Sequence, residues 1–405
     1  MTTTIDGIAN VNVWTGDGTV VHDTGVSVSG GRIAAVAPLP ADAPGVLDGQ
    51  GGWVIPGLID CHIHLWGART PHPVHWVVDP RLPNALRSVA DVGKILRSGF
   101  TTVREAGGTL GPSLRQVIDA GDIEGPRVVP AYLGLSRTGG HGDCHTLPMA
   151  WVREQPFMAL VTDGPANLRR AVRTVAREGG RWVKVWASGG VLSERDDPEH
   201  VHYGPDELAA IVEEAHAIDL PVGAHCESLA ATYAAVEAGV DAIEHGFQLD
   251  EGVCQAMRER GVTLVSTLSV LQRYVRWEGP EISPEQRETS KRLLVIAEES
   301  LNLAVATGVR VAMGSDCFSE PMTPFGHSAD ELGYMRDAGV DAETCLRSAT
   351  SVAARLVGME SRIGMVTEGR LADFLLLPAD PRQDLDVVIR PERITAVIKD
   401  GRRVR

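Results

Sequence analysis

The chain has 405 residues, of which 43% are hydrophobic and 22% are charged, and its formal net charge at pH 7 is −15. This length exceeds one small core and suits a large barrel with a minor domain. The acidic balance argues against binding of nucleic acid or anionic membranes through bulk charge, and no apolar run is long enough to span a bilayer.

Cysteine usage and the start of the chain indicate a compartment. None of the six cysteines forms a C-x-x-C pair, so neither a disulfide framework nor a zinc knuckle is expected. The first residues, MTTTIDGIAN, lack the charged region and apolar core of a signal peptide. We therefore expect reduced thiols and a cytoplasmic protein.

Both ends of the chain are predicted to be rich in short strands. NVNVWTGDGTVV and TGVSVSGGRIAAVA near the start, and GRLADFLLLPAD and RITAVIKDGRRV near the end, alternate apolar with small or polar residues. Glycine, proline and aspartate interrupt these segments and indicate turns. We expect residues 1–57 and 361–405 to form one small composite β-sandwich domain.

The middle of the chain, residues 58–360, repeats a short apolar run followed by a helical pattern. The eight runs are WVIPGLIDCHIHL, FTTVREAG, RVVPAYLGLS, RWVKVWASGG, LPVGAHCE, VDAIEHG, VTLVSTLS and VRVAMGSD. Eight such units predict an α/β fold with a (β/α)8 barrel of the TIM type. A doubly wound sheet is the alternative, but no G-x-G-x-x-G motif or P-loop supports it. Longer segments at about 141–166 and 271–288 are expected to cover the carboxyl-terminal face.

Polar side chains interrupt the predicted strands, most of them at the strand ends. They are His62, His64, Lys184, His225, His245 and Asp316. Buried strand ends are costly positions for polar groups, so a shared purpose is expected. Taken singly, each has an ordinary explanation, such as an incidental H-x-H, a snorkelling lysine or an aspartate that caps a helix. Six together on five barrel strands favour a common site.

The spacing of these residues predicts metal ligation. His62 and His64 lie two residues apart on a strand, so both imidazoles point to one face and can reach one metal ion. His225 and His245 end neighbouring strands and can reach a second ion, while Asp316 offers a carboxylate near the first. Mixed nitrogen and oxygen ligands suit Zn²⁺ best, with Mn²⁺, Co²⁺ or Fe²⁺ as alternatives.

Several motifs resemble those of a known family. VIPGLIDCHIHL resembles the first barrel strand of the amidohydrolase superfamily, and VKVWASGGV, VGAHCE, AIEHG and AMGSD resemble its later metal-bearing strands. The segment from SATSVAARLVG to LLLPADP is similar to the family's return from barrel to β-domain. VKVWASGG and LSRTGGHGD resemble the binuclear metallodipeptidase subgroup, which includes prolidases (Xaa-Pro dipeptidases) and ochratoxinase-like carboxypeptidases.

The resemblance implies a site with two divalent metal ions, Zn²⁺ above all. It assigns His62, His64 and Asp316 to the more buried ion, His225 and His245 to the second, and a carboxylated (carbamylated) Lys184 to a bridge between them. In this subgroup a hydroxide between the metals attacks the substrate carbonyl, and the aspartate acts as general base and then as general acid.

The resemblance also implies a substrate class. We expect hydrolysis of an amide bond in a dipeptide or an N-acyl amino acid, with His141 of the GGHG loop holding the substrate. Arg137 is a candidate for binding a substrate carboxylate, although it can equally be a solvated loop residue. Tyr233 is a candidate for the pocket wall, although simple packing of its helix explains it as well. Relatives are commonly oligomers, so we expect a homo-oligomer without nucleic-acid or membrane partners.

Two other functions remain as alternatives. A deaminase or cyclic amidohydrolase resembling imidazolonepropionase would hold one metal, lack the lysine and carry a glutamate three residues after the fifth-strand histidine. Here Lys184 is present and Glu227 follows His225 by two residues. A non-catalytic scaffold would have lost several ligands, whereas all six are present.

Overall fold

The computed structural model describes residues 3–70, 72–193 and 195–405. Its strands in chain order are β1 (Thr3–Thr4), β2 (Gly7–Trp14), β3 (Val20–Ser29), β4 (Arg32–Val36), β5 (Val46–Pro56), β6 (Leu58–Ala68), β7 (Phe100–Glu105), β8 (Arg127–Pro130), β9 (Gly134–Ser136), β10 (Ala159–Val161), β11 (Val183–Trp186), β12 (Val222–Cys226), β13 (Ala242–His245), β14 (Thr263–Ser266), β15 (Arg310–Met313), β16 (Cys317–Ser319), β17 (Phe374–Leu377), β18 (Ala396–Lys399) and β19 (Arg402–Arg403).

Helices connect most of the strands in the middle of the chain. They are α1 (Pro73–Val78), α2 (Arg81–Arg97), α3 (Gly111–Asp119), α4 (Met149–Glu154), α5 (Pro165–Arg177), α6 (Pro205–His216), α7 (Leu229–Ala238), α8 (Glu251–Arg260), α9 (Leu268–Arg276), α10 (Pro284–Thr307), α11 (Asp330–Asp337), α12 (Ala342–Ser348), α13 (Ser351–Leu356) and α14 (Asp386–Ile389), with a 3-10 turn at Pro391–Arg393. Within the described ranges, none of them combines the length and hydropathy that a membrane crossing requires.

The two ends of the chain share one eight-stranded sheet. Its strand order is β1-β19-β18-β17-β5-β2-β3-β4, and β17 pairs antiparallel with β5, where Leu375 lies opposite Ile55. One buried cluster contains Ile8 and Val26 from the start of the chain and Phe374 from its end. The β-sandwich form and the domain limits at residues 57 and 361 stay predictions.

The middle of the chain forms two parallel sheets, which confirms the α/β class. One sheet has the order β10-β9-β11-β12-β13-β14-β15, and the other has the order β16-β6-β7-β8. The third predicted run is split into β8 and β9, because Pro130 lacks an N–H and Tyr132 adopts a left-handed φ of 61°. The eighth is followed by a similar break at Asp316, whose φ is 45°.

The helices cover the parallel strands with amphipathic faces. In α5 the buried residues are Leu168, Ala171, Val172 and Val175, a spacing that places them on one face. Helix α10 begins with a capping box between Ser283 and Gln286 and ends at Gly308, whose φ of 82° suits glycine. These packed helices hold the strands, and hence the strand ends, in fixed positions.

An ion-pair cluster joins the terminal sheet to the parallel strands. Arg127, at the start of β8, pairs with Asp373 and with Asp400, which both come from the end of the chain. Asp373 is 3% exposed, so its carboxylate depends on this partner for compensation of its lost hydration. The cluster therefore holds the last thirty or so residues against the middle of the chain.

Replacement of Arg127 by alanine should lower the free energy of unfolding by about 3–5 kcal/mol, because it leaves a buried carboxylate unpaired. Urea denaturation followed by circular dichroism measures this loss. The matched control is Arg169→Ala, which removes an exposed pair with Glu213 and should cost less than about 1 kcal/mol. Equal losses in the two variants would contradict the role of the Arg127 cluster.

Candidate metal centre

A cavity of about 700 Å³ lies at the carboxyl ends of the parallel strands. All six predicted ligands line it: His62, His64, Lys184, His225, His245 and Asp316. His225 and His245 lie at or next to the last residues of β12 and β13, and Asp316 follows β15. His62 and His64 lie in the middle of the long strand β6, and Lys184 is the second residue of β11. The parallel arrangement thus gathers side chains that are up to 254 positions apart in sequence, His62 and Asp316 being the outermost.

Three of these residues form a compact donor group. His62 and His64 from β6 and Asp316 offer ligand atoms that all lie within 4.8 Å of one another. The Nε2 atoms of His62 and His64 are 3.7 and 3.5 Å from Oδ1 of Asp316. The backbone N–H of Asp316 donates to the carbonyl of His62 at 2.8 Å, which holds the aspartate beside β6. Two imidazoles and a carboxylate in this arrangement form a suitable binding site for a metal ion.

Hydrogen bonds fix the orientation of the two imidazoles in this group. The Nδ1 of His62 lies 2.8 Å from Oε2 of Glu244, and the Nδ1 of His64 lies 3.0 Å from the carbonyl oxygen of Gly107. Burial lowers the pKa of His62 well below its usual value and that of His64 to about 3, so both rings are neutral at pH 7. The proton then resides on Nδ1, and Nε2 keeps its lone pair for a metal.

His225 and His245 form a second pair next to the first group. They come from the neighbouring strands β12 and β13, and their ring centroids are 4.5 Å apart. The ring of His245 also lies 4.9 Å from that of His62. His225 donates from Nε2 to the carbonyl of Gly189 at 3.0 Å, which leaves the lone pair on Nδ1. Burial lowers the pKa of both histidines, so they are also neutral donors.

Lys184 lies inside this cluster. Its Nζ is 3.5 Å from Nε2 of His62, and its side chain is almost fully buried. Burial lowers the pKa of the amine to about 8, although the carboxylates of Glu244 and Asp316 oppose the shift. The amine therefore occupies the place next to the first donor group where a bridging ligand is expected.

Two buried residues that support His62 were not anticipated. Arg104 donates from Nη1 to Oε1 of Glu244 at 2.7 Å, and the other oxygen of Glu244 accepts from His62. Regular alternation along β13 would place Glu244 opposite His245, away from the ligands. His245 has a left-handed φ of 70°, which breaks this alternation and lets both residues serve the same centre.

The three predicted substrate contacts have different positions. His141 lines the cavity, where its ring stacks on His225 at 4.7 Å and its Nδ1 lies 2.7 Å from Oγ of Ser193. Tyr233 is not among the described residues that line the cavity. Its hydroxyl donates to Asp250 at 2.8 Å, because this face of α7 packs against the start of α8. The expectation that Tyr233 lines the pocket is corrected accordingly.

Arg137 also lies outside the described lining of the cavity. Its Nη2 is 4.0 Å from Oδ1 of Asp196, and 37% of its side chain is exposed. The guanidinium thus lies beside Asp196, which does line the cavity, and the contact of Arg137 with a substrate carboxylate stays a prediction. A different arginine, Arg195, lines the cavity instead.

The remaining cavity wall contains both aromatic and polar side chains. Beside the first donor group lie three aromatic residues, with the ring of Trp66 at 4.4 Å from His64 and at 4.8 Å from Trp76, and Phe318 at 5.6 Å from Trp76. The lining also includes residues from both predicted covering segments, namely His145 and Tyr274. The two segments thus contribute to the cavity that they were expected to cover.

The chain is similar to members of one protein family along most of its length. The sequence model of the Amidohydrolase family matches residues 53–404. Ochratoxinase from Aspergillus niger is 31% identical over 376 residues, which cover 86% of this chain and 75% of that protein. The crystal structure of A. niger ochratoxinase aligns with a TM-score of 0.89 at 29% identity and covers 99% of this chain and 95% of that chain.

Two further crystal structures are similar over nearly the whole chain. A prolidase in complex with N-methylphosphonate-L-proline aligns with a TM-score of 0.91 at 33% identity and covers 98% of each chain. A Xaa-Pro dipeptidase with bound methionine in its active site aligns with a TM-score of 0.87 at 27% identity and also covers 98% of each chain. These relatives belong to the subgroup that the sequence motifs resemble.

The hydrogen bond from His62 to Glu244 should strengthen metal binding. Glu244→Gln should weaken zinc binding about 10- to 100-fold, because an amide orients the imidazole and raises its basicity less well than a carboxylate. Competition with a chromogenic chelator measures the affinity, and circular dichroism checks the fold. The control Glu285→Gln removes a carboxylate elsewhere in the cavity wall and should bind zinc normally. Unchanged affinity in Glu244→Gln would contradict this support.

Proposed function

Because this chain belongs to the Amidohydrolase family, a family of hydrolases of carbon–nitrogen bonds, we propose that it cleaves an amide bond in a dipeptide or an N-acyl amino acid. One observation carries the proposal: six potential ligands converge in one cavity at the strand ends. Similarity to a prolidase, a Xaa-Pro dipeptidase and an ochratoxinase supports the choice of an amide substrate.

The donor set fits divalent metal ions. Each of the four histidines is buried and neutral, and His62, His64 and His225 keep a ring nitrogen free because the other one donates to a carboxylate or a carbonyl. We propose two Zn²⁺ ions, with His62, His64 and Asp316 at one and His225 and His245 at the other. The position of Lys184 beside His62 supports a carboxylated lysine as the bridge. When bound, such ions polarise a carbonyl and lower the pKa of water.

The protein's own groups would then position the substrate and move the proton. Asp316, with an oxygen 3.5 Å from His64, is the carboxylate placed to accept a proton from the attacking water and to pass it to the leaving nitrogen. His141 has its Nδ1 engaged with Ser193, so its Nε2 is the nitrogen available to hold a substrate oxygen. The aromatic residues beside His64 would shield one side of a bound substrate from water.

The proposed site also depends on a closed barrel, with residues 58–360 as its limits and the two termini as a separate β-domain. Two links between the parallel sheets support closure. β8 continues into β9 after a short break, and β16, which follows β15, pairs with β6 at Cys317 and Ile63. A ring of this kind would keep all the ligands on a single rigid frame.

Asp316→Asn should reduce turnover by a factor of about 10² or more, because the amide neither accepts nor returns the proton. Initial rates on the best amide substrate and the zinc content of the variant provide the measurement. Asp197→Asn, which alters another carboxylate of the cavity wall, is the control and should keep turnover close to the original. A fully active, zinc-loaded Asp316→Asn protein would remove this residue from proton transfer.

Lys184→Ala should reduce bound zinc from two ions to one per chain, because it removes the proposed bridge. Plasma mass spectrometry on dialysed protein counts the ions, and Lys94→Ala, which changes a lysine far more exposed to solvent, should retain both. One tightly held ion in the unaltered protein, with no loss in Lys184→Ala, would favour a mononuclear cyclic amidohydrolase.

A substrate screen tests the reaction itself. Purified, zinc-loaded protein should release free amine from members of a panel of Xaa-Pro, Xaa-Arg and other dipeptides and N-acyl amino acids. Lactams and lactones belong in the same panel as competing substrates. Opening of these rings without cleavage of any linear amide would show that the proposed substrate class is wrong.

A further inference from the structure

A second cavity, of about 840 Å³, lies at the opposite end of the parallel strands. Its lining includes residues at the amino-terminal starts of strands, such as Arg127 of β8, Thr263 of β14 and Arg310 of β15. His225, His245 and Asp316 lie at or beyond the carboxyl-terminal ends of strands in the same sheet as β14 and β15. The two cavities therefore occupy opposite faces of the molecule.

The second cavity is basic although the chain is acidic. Eight of its lining residues are arginine or lysine and four are aspartate, in a chain whose formal net charge is −15. The aspartates are largely engaged: Asp119 pairs with Arg115, Asp400 pairs with Arg127 and Lys399, and Asp241 accepts from the backbone of Val222. The positive charge of the cavity is thus only partly compensated by its own walls.

Four arginines account for the remaining positive charge. Within residues 3–70, 72–193 and 195–405, the side chains of Arg181, Arg310, Arg355 and Arg362 form no ion pair, and Asp219 is the remaining carboxylate in the lining. Burial and the proximity of Arg355 lower the pKa of Arg310. The Nε of Arg310 is buried and has no hydrogen-bond acceptor among the described residues. Like charges held together in this way favour an anion between them.

A buried arginine contributes to the same cavity. Arg104 is 2% exposed, and both of its hydrogen bonds, to Glu244 and to the carbonyl of Cys61, come from Nη1. Its Nη2 and Nε donate to none of the described residues, while its Cζ lies 3.3 Å from the ring centroid of Trp182. A guanidinium with one edge unused is suited to bidentate binding of an oxyanion.

We propose that this cavity binds a phosphate group, either as free orthophosphate or as a phosphate monoester. Arg104 provides a buried donor, and Arg310, Arg355, Arg362 and Arg181 add positive charge to the lining of the same cavity. Phosphate matches this set because it carries about two negative charges near pH 7 and offers several acceptor oxygens to planar guanidinium groups. This cavity is distinct from the cavity of the metal centre and does not depend on the proposed substrate, although Arg104 also donates to Glu244, which supports His62.

Isothermal titration calorimetry on the zinc-loaded protein tests the proposal, with orthophosphate and glycerol 2-phosphate as probes at constant ionic strength. At least one probe should bind saturably with one site per chain and a Kd of about 1 mM or below. Tighter binding of the ester would identify a phosphate monoester as the ligand, and tighter binding of orthophosphate would identify the free ion. Absence of saturable binding for both would overturn the proposal.

Two double variants test where on the protein the phosphate binds. Arg355→Ala/Arg362→Ala should weaken it at least tenfold, whereas Arg173→Ala/Arg177→Ala, which removes the same charge from the exposed face of α5, should leave it unchanged. Equal binding by the two double variants would place the anion elsewhere, including at the zinc ions, and would overturn the proposal. Arg181→Ala, at an exposed position before β11, provides the same test if the first double variant does not fold.

Discussion

Burial of neutral imidazoles on parallel strands is the constraint on which the rest of this molecule depends. Desolvation costs free energy for any polar group, and here it also holds the four histidines in the uncharged form that binds metal. Hydrogen bonds to Glu244, Gly107 and Gly189 offset part of this cost and fix which ring nitrogen faces the cluster. The helices that pack around the strands keep the resulting geometry rigid.

Much of the site could be predicted from sequence because strand position determines it. The period of two places His62 and His64 on one face, and parallel strands bring His225, His245 and Asp316 to the same end. The supporting residues could not be found in this way. Glu244 reaches His62 only because the backbone at His245 departs from the regular strand, and such a departure leaves no periodic signal.

The same distinction explains the errors and the gaps in the predicted fold. The α/β class followed from eight repeated runs, but a break after Pro130 divides the third run into β8 and β9, and the eighth run ends at Asp316 before the short strand β16. Tyr233 and Arg137 were placed near the substrate by their distance along the chain from recognised motifs. Their side chains follow local packing instead, toward Asp250 and Asp196, and sequence spacing does not specify such contacts.

The cluster around Arg127 has a consequence for biosynthesis. Its carboxylate partners, Asp373 and Asp400, are synthesised some 250 residues after it. In the same way, β5 can pair with β17 only after the end of the chain has been synthesised. On the ribosome, the early strands of the terminal sheet and the base of β8 therefore emerge long before their partners exist. Contacts of such high sequence separation form late and slowly, which leaves open strand edges exposed during synthesis. Expression of this protein should accordingly benefit from conditions that protect nascent chains, such as low temperature or abundant chaperones.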